Sequence, residues 1–250
     1  MSESTETKKE KKAKLTKEDI MNILQKLYDK SLDGIPMVSQ PIEELANQYL
    51  TKHDDVKKAV KSFVNYQIAK CTTSGFLTGF GGIITLPVTI PANIGSVLYV
   101  QMRMIACLAH MGGYAMDDDQ TQTLVYACLA GVSVDTIIKQ TGIKLGTKLT
   151  TSLVKKIPGT VLTKINQRVG FRLLTKFGTK GVINIGKMIP VVGAVVGGAF
   201  DFAETKVIAD RAYKLFINGD TRALNKADKE EDYINAEVEE VEVTIEDIEE

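Results

Sequence analysis

Apolar residues along much of this chain recur every three to four positions, the period of a helix with one face turned to a core. Val56, Val60, Phe63, Val64 and Ile68 follow that spacing with lysines largely outside the stripe, which predicts an amphipathic helix. Farther on, Val161, Ile165, Val169, Leu173 and Phe177 lie four apart, and Lys164, Arg168, Arg172 and Lys176 lie four apart beside them. At about 100° per residue the two rows wind together, so the cations flank the apolar stripe instead of opposing it. No alternating run of strand type stands out, and short stretches such as GGIITLPVTI have helical flanks. The pattern predicts an all-α fold, a compact helical bundle with two glycine-rich uncharged helical hairpins.

The first uncharged run extends from Cys71 to Met102. A continuous helix of about 20 apolar residues would suffice to cross a bilayer. Pro87 and Pro91 divide the run, because each removes a backbone donor and disfavours helix at the residue before it. The expectation is one helix ending near Leu86 and a second starting near Pro91 and continuing through Arg103 to His110. Such a hairpin suits a protein core or a membrane. A second uncharged run, Met188 to Phe200, enters a long helix. Gly75 and Gly79 in the first run, and Gly193 and Gly197 in the second, each form a GxxxG, a spacing that lets two helices approach closely. The two glycine faces are expected to touch, and this spacing also serves close crossings in water-soluble cores.

Breakers and caps divide the rest. Residues 1–15 read as a disordered charged tail, and 16–39 as a helix and linker in which Thr16 is the N-cap and Gly34, Pro36 and Ser39 mark a loop. Pro41 suits the first turn of the next helix, and His53, Asp54 and Asp55 interrupt it. Residues 40–218 read as one helical domain. Gly112 and Gly113 stop a helix, and Asp117, Asp118 and Asp119 open another that runs to about Gly131; capping explains that triplet better than metal binding, since no further ligand follows at calcium-loop spacing. Residues 219–250 form an acidic tail. Within it Ile234, Val238, Val241, Ile245 and Ile248 trace a heptad seam, which suits either a helix laid on a basic surface or a solvated tail.

Charge alters this picture by its distribution. The net charge is zero, yet the stretch from Thr136 to Phe200 holds eleven lysines and arginines and no carboxylate. Among those cations, from Lys139 to Lys187, only Phe171 and Phe177 are aromatic, which argues against a nucleic-acid partner. Two readings remain open. In one, the block meets an anionic membrane surface peripherally, each cation contributing about 1 kcal/mol, with Lys164, Arg168, Arg172 and Lys176 making the contact and a membrane protein as a further partner. In the other, it is the solvated face of a soluble module that binds a protein or small-molecule ligand, or of an enzyme of unrecognised type, with a site lined by hairpin residues such as Thr85, Thr89 and Asn93. Cys71, Cys107 and Cys128 lack CxxC spacing and read as buried free thiols in a reducing compartment. The N-terminus has no apolar segment behind its lysines, so a cytoplasmic location is expected, at the inner face of the cell membrane on the peripheral reading. His53 and His110 are the only histidines and sit in structural contexts; no nucleotide-binding loop occurs, so neither a catalytic residue, a metal nor a cofactor is expected.

The chain resembles the EcsC protein family over about residues 40–218. The resemblance is carried by residues 75–114, by LVYACLAG at 124–131, and most specifically by residues 166–216, whose core holds Gly186, Lys187, Pro190, Gly193, Gly197 and Gly198. One departure is that related chains often place an acidic residue where this one has Thr89, Ile90 and Asn93. The family takes its name from an operon that also encodes parts of an ABC transporter. The resemblance therefore implies work at or near the cytoplasmic membrane, and implies no catalytic residue.

Overall fold

The structure, a computed structural model, describes residues 15–72, 92–140, 148–177 and 193–224. Its first helix, α1 (Lys17–Asp33), opens on a capping box: Asp19 N donates to Thr16 Oγ1 at 3.1 Å and Thr16 N donates to Asp19 Oδ2 at 2.9 Å. The helix stops at Gly34, whose φ of 76° and ψ of −176° belong to a region that only glycine occupies without strain. A Cβ on Gly34 would meet Ser39 O at 2.3 Å. Reciprocal backbone bonds of 2.9 Å between Ile35 and Ser39 close the following turn. They return the chain to α2 (Ile42–Lys52), with Pro41 at the N-cap position instead of inside the first turn. The break at His53 to Asp55 leads to α3 (Val56–Thr72).

Next comes α4 (Ala92–Met111), the second half of the first uncharged run. Every residue from Leu98 to Ala109 is buried. A largely apolar helix buried on all sides must be covered on all sides, and α1, α2 and α3 pack on it together with α5 (Asp119–Ala130) and α9 (Gly193–Ala212). Gly131 ends α5 in the left-handed conformation, while Asp118 occupies its N-cap position without a side-chain cap bond. The aspartate triplet thus favours the helix through charge at its positive end. Two short helices, α6 (Val134–Gln140) and α7 (Thr151–Val154), precede α8 (Gly159–Phe177), which packs on α5 and α1. A π-helical turn, Tyr213–Ile217, continues α9, and a short 3-10 turn, Thr221–Leu224, follows.

The fold is all-α; among the described residues the only β pairing is an isolated bridge between Ile35 and Ser39. Val161, Ile165, Val169 and Leu173 are buried along α8, as are Val60 and Phe63 along α3. Val56 is 43% exposed, because it lies at the outer end of α3. Edge-to-face aromatic pairs join the layers, with centroids 5.8 Å apart for Tyr28 and Tyr126 and 5.3 Å for Tyr49 and Phe63. No helix among the described residues is long and apolar enough to cross a membrane. Gly75, Gly79, Thr85 and Thr89 lie outside the described residues, as does the acidic tail from residue 225. Gly193 and Gly197 fall on the first turns of α9, and the contact expected between the two glycine faces lies outside what is described.

Replacing Gly34 by Ala forces a Cβ into the Ser39 and Gln40 backbone. The conformational strain alone costs about 1 to 3 kcal/mol. Urea denaturation should register that loss, and a variant within about 0.5 kcal/mol of wild type, the range of a neutral surface change, would contradict the geometry of the turn.

Candidate functional site

Two polar side chains, Tyr99 and Arg103, lie four residues apart and so share one face of the largely apolar α4. That face meets the end of α1, where the last carbonyls have no partner within the helix. Arg103 Nη1 donates to Ser31 O at 3.0 Å, and Nη2 donates to Gln40 O. The Tyr99 hydroxyl donates to Lys30 O at 3.4 Å and lies 2.7 Å from Ser39 Oγ. Arg103 is only 9% exposed, and desolvation pulls its guanidinium below the ordinary value. It stays cationic, since an arginine is not deprotonated in a protein. The negative end of the α1 dipole offsets part of that buried charge.

Above this pair opens a cleft of about 670 Å³. The loop after α1 contributes Val38, Ser39 and Gln40, and α2 contributes Leu45, Gln48, Tyr49 and Lys52. Ser62, Tyr66 and Gln67 line it from α3. No carboxylate is among the lining residues. Gln48 Nε2 donates to Gln40 Oε1 at 3.1 Å, which fixes part of the rim. Sequence reasoning missed this site. The signal in the sequence is Arg103 itself, a lone cation at the end of a long uncharged stretch and inside a largely apolar helix.

The four cations expected at a surface divide into two pairs. Lys164 and Arg168 are exposed on α8, and with Phe171, which is 54% exposed, they share one outward stripe. Lys17 of α1 places its ammonium 5.5 Å from the centre of the Phe171 ring. Arg172 and Lys176 turn toward the protein. Arg172 Nη1 donates to Gly131 O at 3.0 Å, and Lys176 forms an ion pair with Glu204 of α9. Among the described residues no group of histidine, cysteine and carboxylate side chains has metal-binding geometry. Cys107 and Cys128 are buried free thiols, and burial pushes the Cys107 thiol up to about 12.

These features define an all-α protein built around a buried helix, with a cationic cleft on one side and an outward basic stripe on α8. A family model described as the EcsC protein family matches residues 1–217, and the chain belongs to that family. The match includes α1, which lies ahead of residue 40 and packs on α4 and α8. No curated protein and no solved structure matches the chain.

The Cys107 shift sets a pH dependence. Below about pH 8.5 both folded and unfolded states keep the thiol proton and stability is full. Above that, the unfolded chain loses the proton while the fold retains it up to about 12, so stability falls as pH rises. Denaturation series between about pH 8 and 10, below the ordinary tyrosine range, should show a flatter decline for Cys107→Ala than for wild type. Equal slopes would mean that the thiol ionises in the fold as it does in the unfolded chain.

Proposed function

We propose that this EcsC-family protein acts as a peripheral module on an anionic membrane surface, at the cytoplasmic face. The observation that carries the reading is the exposed stripe of Lys164, Arg168 and Phe171 on α8. Cations beside an aromatic side chain suit the phosphate and acyl boundary of a bilayer. At about 1 kcal/mol per cation near an anionic leaflet, Lys164 and Arg168 contribute about 2 kcal/mol, and Lys17 raises this to about 3. That magnitude supports reversible association, not permanent anchoring. Arg172 and Lys176 add little, since their charges are directed to Gly131 O and Glu204. A transporter in the same membrane is the kind of protein such a module would meet there.

Sedimentation with vesicles tests this. Binding to vesicles containing phosphatidylserine should exceed binding to neutral phosphatidylcholine vesicles and fall with salt. Neutralising the pair, Lys164→Gln with Arg168→Gln, should lower the partition about thirtyfold, the equivalent of about 2 kcal/mol. Equal binding to neutral and anionic vesicles, or a double variant that binds like wild type, would overturn the reading.

A further inference from the structure

We infer that the cleft over Arg103 binds a phosphate ester of a hydroxyl-rich compound, a sugar or polyol phosphate, either free or as the headgroup of a lipid. This site is separate from the outward stripe of α8 and does not depend on it.

The anionic part of the ligand follows from the charge of the lining. Arg103 forms the floor and Lys52 stands at the rim, and no acidic residue lines the space between them. Arg103 has its charge buried, and its bonds go to two carbonyls and the Tyr99 phenol, not to a carboxylate. A guanidinium carries five N–H donors, so three such bonds leave donors for a ligand. A phosphate in the cleft would supply the countercharge, and guanidinium groups match phosphate oxygens in pairs.

The hydroxyl-rich part follows from the remaining polar groups. Gln67 offers an amide, Gln48 offers an amide whose Nε2 also meets Gln40, and Ser62 and Tyr49 offer hydroxyls. Such groups both donate and accept, the pattern that sugar and polyol hydroxyls require. Tyrosine rings add apolar faces for the C–H edges of such a ring. A volume of about 670 Å³ falls in the range of small-molecule sites.

Either source of the phosphate ester reaches this mouth. Val38 lines it at 38% exposure, and the neighbouring Met37 is fully exposed in a left-handed conformation with φ of 64°. An apolar loop tip beside a polar cleft is what a lipid headgroup site would present to a bilayer.

Isothermal titration of the full chain with glucose 6-phosphate and inositol 1-phosphate, against glucose, inositol and inorganic phosphate, tests the inference. Vesicles of phosphatidylcholine with and without phosphatidylinositol 4-phosphate form the second arm. The expected result is that at least one phosphate ester binds and its neutral counterpart does not. Binding of soluble esters identifies a free metabolite, and binding on vesicles alone identifies a headgroup. Lys52→Ala should weaken binding about twofold to fivefold, as loss of an exposed ionic contact does. Ser62→Phe, which fills the cleft, should abolish it. Arg103→Gln should abolish it too, and where that variant fails to fold, the other two carry the test. Lys164→Gln with Arg168→Gln should leave soluble ester binding unchanged, so this inference and the membrane reading fail separately. Absence of binding in both arms, binding of inorganic phosphate as tight as any ester, or binding untouched by Lys52→Ala and Ser62→Phe would overturn it.

Discussion

A single constraint governs this molecule: α4 carries a cation that is almost wholly withdrawn from water, at the floor of the cleft. Arg103 lies in a helix whose neighbours from Leu98 to Ala109 are all buried. A charge taken out of water costs several kcal/mol unless its donors are met. Three of those donors are met, by Ser31 O at the end of α1, by Gln40 O in the loop beyond it and by the Tyr99 phenol on α4 itself. Each hydrogen bond to a charged group contributes about 1.5 to 3 kcal/mol, which is the scale needed. The same bonds satisfy carbonyls that the end of a helix leaves open.

From that junction the rest of the architecture follows. The loop from Gly34 to Gln40 is tied back to α4, and α2 and α3 pack on the same helix. Their polar side chains line the cleft together with Arg103. Carbonyls hold the guanidinium, and Arg103 still lines the cleft. A carboxylate partner would have closed the charge and removed the reason for a ligand. On α8 the cations are used differently. Two of them bind the protein at Gly131 O and Glu204, and two remain outward beside Phe171.

Much of the fold was legible in the sequence because local rules set it. The four-residue stripe of Val161, Ile165, Val169 and Leu173 lies buried, the Thr16 cap forms its bonds, and α4 starts one residue after Pro91. These depend on neighbours within a turn or two. The division among Lys164, Arg168, Arg172 and Lys176 was not legible. Four-residue spacing puts them in one slowly winding row, and only the position of Glu204, 28 residues beyond Lys176, decides that Lys176 turns inward. The cleft was hidden for the same reason. Gln40, Lys52, Gln67 and Arg103 come from four segments, and no spacing in the chain reports that they converge.

Native-state hydrogen exchange, resolved by residue, tests the central claim most directly. If α4 is the element on which the others depend, its amides from Leu98 to Leu108 should exchange only through global unfolding, with protection equal to the full unfolding free energy. The amides of α2 should exchange by smaller openings. If the middle of α4 exchanged as readily as α2, the helix would not be the buried centre of this fold, and the account of Arg103 would fall with it.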